Sequence, residues 1–275
     1  MSRYAIGLDM SLRSPGVAVH DLSRNFWYLA AFAQNKKQEG FVYETSKAKL
    51  TLFPQISKEA TTIADDLKRY IHLQKYLVKF LCEIIAPEFR DAPFTQLNIE
   101  AYAFVDQTAH SEKLHEVCGI LKYELYKQGF HCMQNIVNTS WKATIIGHGK
   151  ASKLDTCKFM INNGPCLDFL KIFGYDEETL NVDDKGEKIV PSPVSDPCDA
   201  CAIAMMIYTV KKFTSSKRKN EKDENETKEK EENNCIQEDP ILILKNSKCL
   251  PMHKVHFKKR KQKKEPFDFE KFINS

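Results

Sequence analysis

The sequence lacks the long apolar runs that mark membrane-spanning and secreted proteins. None of its 275 residues falls in a stretch approaching the roughly 20 apolar residues that cross a bilayer. Residues 1–4 are polar and lack the apolar stretch of a secretory signal. We therefore expect a soluble protein with no membrane partner that stays inside the cell, in the nucleus or cytoplasm, with a viral factory or an organelle as alternatives.

The sequence also lacks a disulfide framework. Its nine cysteines are an odd number, and most stand singly among apolar residues, where a thiol packs as a small apolar group. Only Cys198 and Cys201 have C-x-x-C spacing, and no second pair or histidine cluster completes a zinc site. The pattern predicts a reducing compartment and argues against structural zinc.

Net charge is missing from most of the chain. Residues 214–275 hold 16 Lys and Arg against 12 Asp and Glu, which accounts for the whole net charge of +4. Residues 1–213 are therefore neutral. Bulk charge does not predict nucleic-acid binding here, so such a function has to be argued from a site.

The order of predicted elements indicates an α/β protein. Three apolar strands lie within residues 4–33, and the turn at Pro15 and Gly16 makes the first two a hairpin. Apolar residues at helical spacing predict a long helix from about Ser57 to Pro87. The later elements are a strand at 96–100, a helix at 106–129, a strand at 130–138, and helices at 151–162 and 196–213. Because the hairpin is antiparallel and the later strands need crossovers, we expect a mixed five-stranded sheet flanked by helices.

Four segments fall outside this core pattern. Residues 34–56 have no clear period and predict a loop or flap, and residues 164–194, rich in Gly, Pro and Asp, predict a surface insertion. Residues 214–240 are almost entirely polar and charged, which predicts a disordered linker after a folded domain at 1–213. In the basic tail at 241–275, the run at 258–264 fits a nuclear import signal, a phosphate-binding arm or a solvated surface equally well.

Four acids stand at the ends of predicted core elements. Asp9 ends the first strand, Glu100 ends the fourth, and Asp196 and Asp199 open the last helix with the i, i+3 spacing of one helical face. If the first and fourth strands are neighbours, all four carboxylates meet at one point. Such acids repel one another unless a hard cation binds them, and two Mg²⁺ ions, with Mn²⁺ as a substitute, fit a phosphodiester hydrolase.

Several segments resemble the RuvC family of Holliday junction resolvases, which have a ribonuclease H-like fold. Residues 7–19 resemble its first motif, a strand ending in an acid followed by Ser-Leu and a glycine before the second strand. Residues 141–153 are similar to its basic segment, in which a lysine, a Gly-x-Gly turn and Ala-x-Lys follow one another. The segment Asp-Pro-Cys-Asp-Ala from residue 196 resembles its closing motif.

The resemblance implies a Mg²⁺-dependent endonuclease that resolves four-way DNA junctions in recombination, repair or replication. It implies that the four acids are catalytic metal ligands, that Lys153 is catalytic, and that Lys142 and Lys153 lie near the scissile phosphate. It also implies a homodimer that binds branched DNA, with the helix at 106–129 at the dimer interface. Further residues assigned by resemblance to DNA contacts are Arg13, Lys150 and one of the aromatics Tyr102 and Phe104, either of which would stack on an exposed base.

Other functions fit parts of the pattern. An actin-like ATPase would need a second Gly-rich phosphate loop, which this sequence lacks. A fork, flap or RNA–DNA hybrid nuclease of the same fold remains an alternative, although the segment at 147–153 favours a resolvase. A non-catalytic DNA-binding module is the alternative outside enzymes, and the presence of all four acids argues against it.

Overall fold

The computed structural model describes residues 3–12, 14–56, 62–101, 109–184 and 186–225. Within them, the chain forms seven strands and six α-helices. The strands are Tyr4–Asp9 (β1), Gly16–Asp21 (β2), Phe26–Phe32 (β3), Val42–Glu44 (β4), Ala48–Phe53 (β5), Thr95–Ala101 (β6) and Met133–Val137 (β7). The helices are Ile63–Ile84 (α1), Ala109–Lys127 (α2), Asn138–Trp141 (α3), Lys153–Asn163 (α4), Phe169–Ile172 (α5) and Ser192–Asn225 (α6).

The strands form one mixed sheet in the order β4-β5-β3-β2-β1-β6-β7. The first three strands pair antiparallel as a meander, whereas β6 joins β1 in parallel and β7 joins β6 in parallel. This confirms the predicted α/β class with a mixed sheet, and the five predicted strands are adjacent in it, in the order β3-β2-β1-β6-β7. Because β1 and β6 are parallel neighbours, their carboxyl ends lie side by side at one edge of the sheet.

Helices cover both faces of the sheet because successive apolar side chains along its strands point to opposite faces. Ile6 and Leu8 of β1 pack with α1 and α2 in one core cluster. Trp27 and Leu29 of β3 pack with the helices from α3 to α6 in a second cluster. Both faces are therefore buried, as the nearly continuous apolar runs of these strands require.

Two glycines allow α6 to lie directly against the sheet. A Cβ atom on Gly7 would lie 2.0 Å from the Ala200 carbonyl oxygen, and one on Gly16 would lie 2.2 Å from the Asp196 carbonyl oxygen. These separations are far below van der Waals contact, so only glycine fits at either position. Gly16 also pairs with Asp9 across the hairpin, which brings the start of α6 next to the end of β1.

The prediction of a loop at residues 34–56 is wrong. This segment contains β4 and β5, and β5 pairs in parallel with β3, so the sheet has seven strands rather than five. Leu50 and Leu52 of β5 are buried in the second core cluster. The alternating pattern of β5 is only six residues long and is followed at once by Pro54, which explains why the segment resembles a loop in sequence.

Residues 164–194 are more than a surface insertion. They contain the short helix α5, and seven of their apolar side chains are buried in the second core cluster. These are Leu167, Phe169, Leu170, Phe173, Leu180, Val190 and Val194. Their apolar residues are separated by turns, so no helical or strand period shows in the sequence.

The helix boundaries differ from the predicted ones at two places. Ser57 lies outside the described residues, and Thr62 caps α1 in a capping box with Asp65. Helix α6 begins at Ser192, four residues before the predicted start, and continues to Asn225, so residues 214–225 of the predicted linker are helical. The rest of that linker and the 241–275 tail lie outside the described residues. No helix in the described ranges is long and apolar enough to cross a membrane.

Candidate active site

The strand register brings Asp9 and Glu100 together. Leu8 of β1 pairs with Ile99 of β6, so the next residue on each strand is one of the two acids. Side chains alternate along a strand, and both acids therefore point to the face that α6 covers. The two carboxyl groups therefore lie close together at the same edge of the sheet.

Helix α6 supplies the other two acids from its first turns. Asp196 and Asp199 are almost fully buried, with 2% and 6% of their surface exposed. The close approach at Gly16 positions Asp196, and the i, i+3 spacing places Asp199 on the same side of the helix. The four acids predicted from the sequence thus gather at the carboxyl end of β1 and β6.

The acids interact strongly through their charges. Burial, followed by the negative charges of the other three acids, raises the pKa of Asp9 well above its ordinary value. Burial also raises the pKa of Asp199 to about 8, against the opposing attraction of Lys153. Carboxyl groups in this state hold protons at neutral pH unless a cation replaces them.

Two neutral donors fix the position of Glu100. The side-chain amide of Asn138 and the indole N–H of Trp141 both donate to Glu100 Oε1, the latter at 3.3 Å. Trp141 is fully buried, and both donors come from α3, which follows β7 directly. This arrangement holds one carboxylate oxygen of Glu100 and leaves the other directed to the remaining acids.

Asp196 is held by two hydroxyl groups. Ser14 Oγ donates to Oδ2 at 2.7 Å, and Ser195 Oγ donates to Oδ1 at 3.1 Å. Lys153, the first residue of α4, donates to Ser195 Oγ at 2.8 Å, with its Nζ 3.7 Å from Asp196 Oδ1. Burial lowers the pKa of Lys153, but the four acids outweigh that effect and raise it above its ordinary value.

The other predicted DNA-binding residues divide into two groups. Lys142 is half-buried with its ammonium 5.5 Å from the centre of the Trp141 ring, and its charge acts on Asp199. Lys150 is exposed in the turn before α4, and its contact with DNA stays a prediction. The remaining three, Arg13, Tyr102 and Phe104, lie outside the described residues.

The donor set suits a hard divalent cation. Asp199 Oδ1 is buried and accepts no hydrogen bond within the described part of the chain, so it is available to a ligand. Carboxylate oxygens are the groups that Mg²⁺ prefers. In the ranges described, no three acid, cysteine or histidine side chains already surround a common point where a metal ion could bind.

The cysteines beside this site belong to the core. Cys157, Cys198 and Cys201 are buried behind Asp199, and all seven cysteines in the described ranges are free thiols. Burial raises the pKa of Cys198 and of Cys201 well above the ordinary value. Thiols whose pKa is raised in this way are poor nucleophiles at neutral pH.

Two solved structures are similar to this chain over most of its length. The structure of Thermus thermophilus RuvC matches with a TM-score of 0.40 and 12% identity, covering 73% of this chain and 92% of that one. The structure of T. thermophilus RuvC in complex with a Holliday junction substrate matches with a TM-score of 0.44 and 12% identity, covering 76% and 96%. No protein-family model matches the sequence, and no curated protein sequence matches it significantly.

Four residues that contact the acids were not predicted from the sequence. Ser14, Asn138, Trp141 and Ser195 each donate to one of the four carboxylates. Ser195 precedes Asp196 in the chain, but serine beside a helix start ordinarily indicates a cap. No spacing rule connects Ser14 or Asn138 with an acid far away in sequence, so only the folded structure reveals these contacts.

Proposed function

We propose that this protein is a Mg²⁺-dependent, structure-specific DNA endonuclease that cuts four-way junctions by two-metal hydrolysis of phosphodiester bonds. The observation that carries the proposal is the convergence of four acids from β1, β6 and α6, with Lys153 directly beside them. A cluster of like charges that is costly without a cation is typical of a functional site rather than of a structural one.

The four acids would hold the cations. Mg²⁺, when bound, activates water and stabilises the leaving oxygen of a phosphodiester. Cation binding would favour the ionised forms of Asp9 and Asp199, against the burial that raises their pKa values. Because Asn138 and Trp141 both donate to Oε1 of Glu100, they would orient this ligand.

The lysines would bind the substrate. Lys153 is exposed on one side and contacts Ser195 on the other, so its remaining N–H donors can reach an anionic phosphodiester. Lys142 adds a second positive charge on the same side of the acids. Replacing either with methionine should slow cleavage, because the phosphate charge then loses an attractive partner.

The test is cleavage of labelled synthetic DNA. Four-way junctions, forks, flaps, linear duplexes and RNA–DNA hybrids are incubated with Mg²⁺ or Mn²⁺, with EDTA as the metal-free control. Symmetric, metal-dependent cutting of the junction alone is the expected result, and it would also support the proposed homodimer, whose mass sedimentation measures. Preferential cutting of forks, flaps or hybrids would reassign the substrate, and no cutting of any substrate would overturn the proposal.

Single substitutions assign the acids. Asp9→Asn should abolish cleavage while junction binding in Ca²⁺ stays intact, because the variant removes a metal ligand without a DNA contact. The matched control is Glu83→Gln, which removes an exposed acid of α1 whose only described ion pair, with Lys79, is a surface one. Retained cutting by Asp9→Asn would show that Asp9 is not a metal ligand.

A further inference from the structure

Ser195 stands between a lysine and a carboxylate. Its hydroxyl is fully buried, accepts a hydrogen bond from Lys153 Nζ at 2.8 Å and donates one to Asp196 Oδ1 at 3.1 Å. A hydroxyl has one hydrogen to donate and lone pairs that accept, so it can serve both neighbours at once. Along the chain, Ser195 is adjacent to Asp196 but 42 residues from Lys153.

The serine keeps the lysine and the acid apart. Lys153 Nζ is 3.7 Å from Asp196 Oδ1, which is longer than a charge-assisted hydrogen bond of about 2.7–2.9 Å. The ammonium group of Lys153 donates one of its hydrogens to Ser195 Oγ instead of to the carboxylate. Asp196 Oδ1 therefore accepts a hydrogen bond from a neutral hydroxyl, and a cation can replace that contact more easily than a direct hydrogen bond from an ammonium group.

We propose that Ser195 is a positioning residue that holds Lys153 at ion-pair distance from Asp196 without letting the ammonium group donate directly to the carboxylate. The inference rests on the proposed function, in which Asp196 binds Mg²⁺ and Lys153 binds the scissile phosphate. Without the hydroxyl, the ammonium moves onto Asp196 Oδ1 and competes with Mg²⁺ for the same oxygen. The lysine is then also withdrawn from the substrate.

Ser14 provides a matched comparison. It also donates to Asp196, at 2.7 Å, but it binds the other oxygen and comes from the loop between β1 and β2. A serine that only orients Asp196 should behave like Ser14 when it is replaced. If a serine separates Asp196 from Lys153, the effect of replacing that serine on Mg²⁺ binding should depend on whether the lysine is present.

The experiment is a double-mutant cycle on Mg²⁺ binding, measured by calorimetry on the full chain without DNA. Ser195→Ala should weaken Mg²⁺ binding about tenfold, the lower end of the 10- to 100-fold range for outer-shell partners. Adding Lys153→Met to Ser195→Ala should restore most of the lost Mg²⁺ affinity. The gain in Mg²⁺ affinity caused by Lys153→Met should therefore be about tenfold larger in the Ser195→Ala variant than in the unaltered chain. In the Ser14→Ala background, the gain should equal that in the unaltered chain.

A control and the contrary results complete the test. Thr156→Val removes another buried hydroxyl, one that donates to a backbone carbonyl of α4, and should leave Mg²⁺ binding unchanged. Equal gains from Lys153→Met with and without Ser195, or unaltered Mg²⁺ binding by Ser195→Ala, would overturn the inference. Failure of the unaltered chain to cut DNA while it binds Mg²⁺ would overturn the proposed function alone, and failure to bind Mg²⁺ would overturn both.

Discussion

Replacing Asp199 with asparagine should make the stability of the metal-free protein much less dependent on pH. The pKa of Asp199 rises from its ordinary 3.8 to about 8 in the folded protein. Between these two values the folded state keeps a proton that the unfolded state has lost. The free energy of unfolding therefore falls as pH rises through this window, by about 1.4 kcal/mol per pH unit for one proton.

The size of the effect follows from that slope. The range from pH 5 to pH 7 lies at least about one pH unit inside both the unfolded and the folded pKa of Asp199. Over this range, Asp199 alone should therefore lower the free energy of unfolding by about 3 kcal/mol. Asparagine has nearly the same shape and no proton to lose, so the variant should lack this contribution. Titrating groups outside the acid cluster, such as His20, are present in both proteins and largely cancel in the comparison.

Urea denaturation in EDTA at pH 5, 6 and 7 measures this difference. The two tryptophans, Trp27 and Trp141, are both buried and report unfolding by fluorescence. We expect the difference in free energy of unfolding between Asp199→Asn and the unaltered protein to grow in favour of the variant by about 3 kcal/mol from pH 5 to pH 7. Parallel curves would show that Asp199 is ionised in the folded protein, and the account of a proton-holding acid cluster would be refuted.

Two further predictions concern the supports of the site. Gly7→Ala should lower the free energy of unfolding by about 3 kcal/mol or more, because its Cβ would lie 2.0 Å from the Ala200 carbonyl oxygen. Gly119→Ala in α2, where a Cβ meets no atom within 4 Å, should instead raise it by about 1 kcal/mol, and urea denaturation distinguishes the two. Trp141→Phe keeps most of the buried ring but removes the N–H that binds Glu100, so calorimetry should show Mg²⁺ binding weakened about tenfold. Unchanged Mg²⁺ binding in that variant would mean that the indole only fills space.

The fold class could be predicted from the sequence because its strong signals are local. The apolar strands, the turn at Gly16 and the helical period of α1 each depend on neighbouring residues, and all three hold in the structure. The two outer strands could not be predicted in the same way. β4 has only three residues, all exposed, and its place in the sheet comes from pairing with β5 rather than from its own pattern.

The position of the four acids could be predicted, but the arrangement of their supports could not. Each acid ends or begins a core element, and the parallel pairing of β1 with β6 is enough to bring Asp9 and Glu100 together. The contacts from Asn138, Ser14 and Ser195 depend on how loops and helix ends pack in space. Hydroxyl and amide side chains at such places more often cap a helix or a turn, so their local sequence gives no sign of the acid that they bind.

The two glycines connect the fold to the chemistry of the site. Gly7 and Gly16 lie on adjacent strands, and each would clash with the backbone of α6 if it carried a side chain. Helix α6 can therefore approach β1 and β2 only where the sheet has no side chains, and that contact determines where Asp196 and Asp199 lie. A methyl group on Gly16 should move Asp196 away from Ser14 while leaving the sequence of every acid and lysine unchanged. The distances between the acids thus depend as much on glycine at positions 7 and 16 as on the carboxylates themselves.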